Sequence, residues 1–190
     1  MWAQYAVLPG VLRTRVGYTG GSVSSPSYHN LGDHTETIDL EFDPAVVSFD
    51  FLVDKFWQFH NPTTQHRTQY MSAIFYNSQS QKKIATNSMN EEQQNFSAVI
   101  ATKILPAQIF YEAEDYHQKY LLRNQRPLFN SLGLDGPELV RSHVAAKLNG
   151  LAGGFGGGLA QFERESENWN LSPVTVNIVR QILGGSIKRS

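Results

Sequence analysis

Residues 26–44 read PSYHNLGDHTETIDLEFDP, and the second half of this stretch alternates between polar and apolar side chains. One face of the alternation carries Thr35, Thr37, Asp39 and Glu41, and the other carries Glu36, Ile38, Leu40 and Phe42. Such alternation predicts a half-buried β-strand over residues 34–42. Glu36 is therefore expected on the apolar face of that strand.

The hydrophobic patterns before and after this strand predict helices alternating with further strands. Strands are predicted at residues 11–18, 69–76 and 99–105, and helices at residues 1–7, 48–59, 79–94 and 112–122. Ser48 can cap the helix that follows it. This order predicts the α/β class, in the form of an α+β two-layer sandwich with short helices laid on a mixed sheet.

The chain from about residue 127 onward has a helical pattern. Helices are predicted at residues 138–148, at residues 159–169, and from Ser172-Pro173 to Gly184-Gly185, with a flexible break at the GGFGGG run of residues 153–158. We therefore expect one domain at residues 1–122 and a mostly helical C-terminal extension at residues 123–190.

Composition narrows the classes of function. The 190 residues are 41% hydrophobic and 17% charged, with a formal net charge of −1, so charge gives no reason to expect a nucleic acid or an anionic membrane as partner. No apolar stretch is long enough to span a membrane, and the first ten residues do not resemble a signal peptide. The absence of cysteine excludes disulfides, thiolate metal sites and thiol redox chemistry within these residues. A cytoplasmic location is the default expectation.

Glu36 is the first candidate for catalysis. A carboxylate on an apolar face loses solvation, which favours its protonated form and suits it to act as a general acid. The alternative is a structural role, in which Glu36 bonds to Arg13 or Arg15. Alternation alone leaves both interpretations open.

Tyr28 and Tyr70 are the next candidates. Each offers a hydroxyl donor on an apolar ring, which can stabilise an oxygen that gains negative charge. Ordinary packing is the alternative for both.

Metal and nucleotide sites are not indicated. His29, His34, His60 and His66 lack the spacing of a metal-binding motif, and no cysteine supports them. The glycine runs match neither dinucleotide-binding nor P-loop patterns, and no GxSxG motif indicates a hydrolase. We therefore expect no cofactor and no metal.

Four motifs in order along the chain carry a family resemblance. They are LPGVLRTRVGYTGG (8–21), PSYHNLGDHTETIDLEFDP (26–44), TQYMSAIFY (68–76) and FYEAEDYHQKYL (110–121). Together they resemble the A-type peptide methionine sulfoxide reductases over about residues 3–122. That family reduces the S epimer of methionine sulfoxide in proteins.

The resemblance implies roles for the three candidates. Tyr28 in PSY and Tyr70 in TQY match the two tyrosines that bind the sulfoxide oxygen, and Glu36 in HTE matches the glutamate that helps to protonate this oxygen as it leaves. In the family, a cysteine thiolate attacks the sulfoxide sulfur. The sulfenic acid that forms is reduced by a second thiol, usually with thioredoxin as final reductant.

This chain departs from the family pattern at the nucleophile. The family's GCFWG motif, which supplies the cysteine, would fall just before Met1, and the aspartate of the family's GND segment has no counterpart in TTQHR (63–67). We therefore expect an N-terminally incomplete or divergent member that is inactive as given and is a reductase in a longer form. The alternative is a non-catalytic module that binds methionine or methionine sulfoxide.

Overall fold

The computed structural model describes residues 2–185, which form a mixed α/β fold of the predicted class. The strands are β1 (Val11–Thr19), β2 (Thr35–Phe42), β3 (Ala73–Tyr76), β4 (Lys103–Pro106) and β5 (Tyr111–Glu112). The helices are α1 (Trp2–Ala6), α2 (Phe49–Phe59), α3 (Gln79–Glu92), α4 (Tyr120–Asn124), α5 (Arg126–Leu132), α6 (Gly136–Arg141), α7 (His143–Ala152), α8 (Gly158–Glu165) and α9 (Pro173–Gly185).

The strands form two small sheets rather than the one sheet that was expected. One sheet has the order β2-β1-β5, and the other pairs β3 with β4. The β3–β4 pair is parallel and the β1–β5 pair is antiparallel, so the predicted mixture of strand directions is present. Gly17 lies opposite Glu112, where a Cβ atom would come within 2.3 Å of the Tyr111 carbonyl oxygen. Only glycine permits this close approach of β1 and β5.

The chain divides into two compact units, and the predicted boundary between residues 122 and 123 stays a prediction. The first unit contains residues 16–39 and 43–114, and the second contains residues 2–15, 40–42 and 115–185. Strands β1 and β2 each contribute residues to both units.

The first unit packs α2 and α3 with the β3–β4 pair. Its buried residues include Val53 and Trp57 of α2, and the Trp57 indole N–H donates to Ser88 Oγ at 2.8 Å. Helix α3 connects the two parallel strands, which need such a crossover. Ser48 caps α2 as predicted, since its side chain accepts a hydrogen bond from Phe51 N at 3.1 Å.

A chain of hydrogen bonds fixes His60 at the end of α2. Its Nδ1 lies 2.9 Å from the Phe56 carbonyl oxygen, and its Nε2 lies 2.7 Å from Ser72 Oγ, which is 2.7 Å from Thr102 Oγ1. Because a carbonyl can only accept, Nδ1 carries the proton, and neutral Nε2 accepts from Ser72. Burial lowers the pKa of His60, and the positive charge of His66 lowers it further. The hydrogen bond to the Phe56 carbonyl acts in the opposite direction and raises this pKa.

This histidine predicts a loss of stability in acid. The folded-state pKa of His60 lies below its ordinary value, so the unfolded chain binds a proton at His60 more readily than the folded chain does. The contribution of His60 to folding stability is therefore complete above the ordinary pKa and is lost as pH falls through the folded-state pKa. We expect His60→Asn to flatten the pH dependence of urea unfolding between about pH 7 and pH 5. The exposed His29 gives the matched control His29→Asn. Equal slopes for wild type and His60→Asn would contradict this assignment.

The second unit has the larger apolar core. Its fully buried side chains include Leu122, Leu139 and Phe162, contributed by α4, α6 and α8. Lys119 is also buried, and its ammonium group donates to the carbonyl oxygens of Thr14 and Val140. No helix within residues 2–185 is long and apolar enough to span a membrane.

Four of the predicted elements are wrong in extent. The strand predicted at residues 99–105 begins only at Lys103. Residues 112–122 do not form one helix, because Glu112 pairs in β5 and Lys119 adopts a left-handed conformation with φ 53° that starts α4 anew. The predicted helix at residues 138–148 is divided at Ser142, whose hydroxyl caps α7 by accepting from Ala145 N at 3.0 Å. The predicted strand at residues 69–76 begins only at Ala73, after a 3-10 turn at Thr68–Tyr70.

The expected one-sided burial of β2 is also wrong. Thr35, assigned to the polar face, is buried, and the residues of the apolar face are only half-buried. Burial of Thr35 is tolerated because its hydroxyl donates to the Thr68 carbonyl oxygen at 3.0 Å. Helix α5 was not predicted, although Pro127 at its start is a recognised signal.

Candidate functional site

The candidate site lies in the first unit, where the loop between β1 and β2 meets the 3-10 turn at Thr68–Tyr70. The loop is closed at its base by Asp33, which accepts from Ser22 N at 2.8 Å and from Ser22 Oγ at 3.0 Å. Gly21 makes this closure possible, because a Cβ atom there would lie 2.6 Å from Asp33 Oδ1. The loop therefore has a fixed base.

His34 forms the second clamp of this loop and is buried. Its Nδ1 accepts from Gly21 N at 3.2 Å, so in the neutral ring Nε2 carries the proton and donates to the Val23 carbonyl oxygen at 2.7 Å. With both ring nitrogens engaged, His34 has a structural role. Within residues 2–185, no group of three histidine, cysteine, aspartate or glutamate side chains is placed to hold a metal ion.

Tyr28 lies at the tip of the loop, in a turn closed by reciprocal backbone hydrogen bonds between Ser27 and Asn30. Its hydroxyl shares a hydrogen bond with the hydroxyl of Tyr70. Both rings reach solvent, with 36% of Tyr28 and 45% of Tyr70 exposed. The two predicted tyrosines are therefore brought together at an accessible surface, which a substrate can reach.

Glu36 lies at the start of β2 and is half-buried. Its Oε1 accepts from Gln69 Nε2 at 3.0 Å. Arg13, one of the two structural partners considered for Glu36, instead bonds both oxygens of Glu41 at 2.6 Å. The carboxyl group of Glu36 is therefore held by the neutral amide of Gln69, the residue next to Tyr70.

The electrostatics of the site keep Tyr70 protonated. Its hydrogen bond to Tyr28 raises the pKa of Tyr70 most, burial adds to this, and the negative charge of Glu36 raises that pKa further. Arg67 acts in the opposite direction, with its guanidinium 5.9 Å from the centre of the Tyr70 ring. Tyr70 is therefore a hydroxyl donor over the whole neutral range.

Two residues of the site were missed by sequence reasoning. Gln69 stands next to Tyr70 in the TQY motif, but a strand was predicted there, which gave no reason to direct its amide at Glu36. Glu114 accepts from Tyr28 N at 2.8 Å and from the Tyr18 hydroxyl at 2.7 Å. Its position in the EAEDYHQ sequence was the available signal.

The arrangement can bind and protonate an oxygen atom. Two phenol hydroxyls and one carboxyl group lie in this part of the first unit, and groups of these types suit an oxygen that gains negative charge as a bond to it breaks. The 190 residues contain no cysteine, so they include no thiol.

Family models match almost the entire chain. Residues 1–139 match "Peptide methionine sulfoxide reductase", and residues 133–184 match "Selenoprotein methionine sulfoxide reductase A, helical domain". A peptide methionine sulfoxide reductase of Drosophila melanogaster is 45% identical over 172 residues, which are 89% of this chain and 70% of that protein. Peptide methionine sulfoxide reductase A5 of Oryza sativa subsp. japonica is 40% identical over 158 residues, covering 79% of this chain and 62% of its own length.

Solved structures give the same family. Methionine sulfoxide reductase A of Corynebacterium diphtheriae is 34% identical with a TM-score of 0.56, over 64% of this chain and 69% of that one. Mxr1 from Saccharomyces cerevisiae in reduced form is 32% identical with a TM-score of 0.57, over 60% of this chain and 72% of that one.

Proposed function

Because the chain belongs to the peptide methionine sulfoxide reductase family, we propose that it carries the oxygen-binding half of a methionine S-sulfoxide reductase. In this proposal Tyr28, Tyr70 and Glu36 bind the sulfoxide oxygen of oxidised methionine in proteins and protonate it as it leaves. The thiol half of the reaction comes from a cysteine that is not among these 190 residues.

The observation that carries this proposal is that the 3-10 turn at Thr68–Tyr70 places Tyr70 directly after Gln69, whose amide donates to Glu36 Oε1 at 3.0 Å. A hydrogen bond with the Tyr28 side chain, which raises the pKa of Tyr70, adds the second phenol to the site. A sulfoxide oxygen is a strong acceptor with no hydrogen to donate. Two phenol hydroxyls therefore match it, whereas the thioether of reduced methionine offers them only a weak acceptor. The site is thus suited to bind substrate more tightly than product.

The roles follow from the charge that develops during reduction. When a thiolate attacks the sulfoxide sulfur, a bond forms between the two sulfur atoms, the S–O bond breaks, and the oxygen takes up electron density, which the Tyr28 and Tyr70 hydroxyls stabilise. The protonated oxygen then bonds to the cysteine sulfur, which becomes the sulfenic acid as methionine leaves. Glu36, in its protonated form, supplies a proton to this oxygen. Gln69 donates to Glu36 Oε1 at 3.0 Å and so orients the carboxyl group.

The electrons for the reaction come from thiols. Overall, methionine sulfoxide gains two electrons and two protons to give methionine and water, while two thiols lose the same and form a disulfide. We propose thioredoxin as the reductant that returns this disulfide to two thiols in an active form. Oxidised proteins and thioredoxin are therefore the proposed partners.

The binding step can be tested with this chain alone. We expect calorimetric titration to show tighter binding of a methionine S-sulfoxide peptide than of the same peptide with methionine. Tyr70→Phe is expected to weaken the sulfoxide complex by about three- to tenfold, the typical effect of one lost hydrogen bond. The matched control is Tyr120→Phe, since Tyr120 is 59% exposed and lies outside the site. Equal affinity for the two peptides would contradict the proposal.

A further inference from the structure

We propose that Glu114 is a positioning residue, which holds the backbone of Tyr28 so that its side chain meets Tyr70 at the candidate site. This inference rests on the proposed function, because it assigns Glu114 to the binding of the same sulfoxide oxygen. Glu114 follows β5, and its carboxylate reaches the tip of the loop between β1 and β2.

Glu114 bridges two tyrosines, of which Tyr18 is fixed in the core and Tyr28 carries the proposed function. Glu114 Oε2 accepts from the Tyr18 hydroxyl at 2.7 Å, and Glu114 Oε1 accepts from Tyr28 N at 2.8 Å. Tyr18 is only 2% exposed and lies in β1 opposite Tyr111 of β5. One oxygen of the carboxylate is therefore anchored in the core, and the other holds the loop.

Both groups that Glu114 contacts are hydrogen-bond donors, so each of them needs an acceptor. A buried phenol hydroxyl needs a hydrogen-bond partner, and the backbone N–H of Tyr28 can only donate. An ionised carboxylate offers two acceptor oxygens and no donor, and such charge-assisted bonds are among the strong ones. A side chain without oxygen at position 114 would leave both donors without this partner.

The contact acts on the part of the loop that carries function. The clamps at the base of the loop, made by Asp33 and His34, hold Ser22, Gly21 and Val23. Tyr28 lies beyond them, in the Ser27–Asn30 turn. The Glu114 bond therefore sets the position of the tip relative to the base, and with it the place of the Tyr28 hydroxyl.

Two substitutions of similar size separate positioning from packing. Glu114→Gln can keep both bonds, because its amide oxygen can accept from Tyr28 N while its amide N–H donates to the Tyr18 oxygen. Glu114→Met fills the same space without an oxygen. Thermal melting checks that each variant folds, and Glu114→Asp, which is one methylene shorter, replaces Glu114→Met if the latter shows no cooperative transition.

The first measurement is the affinity for a methionine S-sulfoxide peptide. We expect Glu114→Met to weaken binding by about tenfold, equivalent to losing the Tyr28 hydrogen bond, and Glu114→Gln to stay within about twofold of wild type. Equal losses in the two variants would overturn the inference, as would no loss in either.

The second measurement does not depend on any ligand. The NMR titration of tyrosine labelled with carbon-13, assigned by Tyr70→Phe, reports the pKa of Tyr70. Because the Tyr28 hydrogen bond is the largest cause that raises this pKa, Glu114→Met is expected to lower it, whereas Glu114→Gln is not. An unchanged pKa in Glu114→Met would overturn the inference even if the wild-type chain binds the peptide. If the wild-type chain binds no peptide, the proposed function fails, and this titration alone decides the role of Glu114.

Discussion

The 190-residue chain is expected to give no measurable reduction of a methionine S-sulfoxide peptide with dithiothreitol as reductant. Sulfoxide reduction in this family needs a thiolate that attacks sulfur, and a hydroxyl cannot form the sulfenic acid that follows. Removing the nucleophile from an enzyme of covalent mechanism costs on the order of 10⁶-fold in rate. A loss of that size places turnover below detection.

Dithiothreitol itself cannot replace the missing group. A nucleophile held beside a bound substrate has an effective molarity of about 10⁵ M or more, whereas the reagent is present at about 10 mM. A pocket that binds the oxygen correctly therefore gains little from a thiol that arrives by diffusion. Under the proposed function, the oxygen-binding residues alone are therefore not sufficient for fast reduction.

Liquid chromatography of the peptide after long incubation measures this directly. A family member that contains the cysteine, assayed in parallel, shows that substrate and reductant are competent. Turnover that Glu36→Gln abolishes would contradict the prediction, because it would place a working nucleophile among these residues. Turnover that survives Glu36→Gln would also contradict it and would place the reaction outside the proposed site.

Local signals predicted the elements that depend on neighbouring residues. Ser48 was identified as the cap of α2 because a cap needs only its own hydroxyl and the backbone N–H of Phe51, three residues on. The last helix likewise begins after Ser172, whose hydroxyl accepts from Thr175 N at 3.1 Å. These bonds lie within one turn, so the sequence contains all that determines them.

Elements that depend on distant pairing could not be predicted. Glu112 was expected in a helix, but it pairs with Gly17, and that pairing decides its conformation. The same holds for the site, where Gln69 bonds to Glu36 and Glu114 bonds to Tyr18. Alternation in β2 indicated Glu36, but its contact with Gln69 depends on the 3-10 turn at Thr68–Tyr70, which the sequence pattern did not indicate. Tyr28 and Tyr70 were connected by the family resemblance rather than by any local pattern.

Phe162→Ala is expected to have the largest effect on stability. Phe162 is completely buried in the core of the second unit, with Leu128, Leu139 and Val179 in the same cluster. Its ring also meets the Trp169 indole edge-on, with 5.9 Å between ring centres. Truncating a buried phenylalanine costs about 3–5 kcal/mol, because apolar contacts are lost and a cavity remains. This is a large part of the about 5–15 kcal/mol that stabilises an ordinary domain.

Melting followed by circular dichroism measures this effect, at roughly 2–4 °C per kcal/mol for a chain of this length. Phe162→Leu keeps most of the apolar volume and is expected to lose less than about half as much. Phe51→Ala removes the same atoms from a side chain that is 40% exposed, and its cost is expected to be smaller still. If Phe162→Ala and Phe51→Ala had the same melting temperature, burial of Phe162 would not stabilise the second unit. If the predicted order holds, the buried core around α8 stabilises the fold of the second unit.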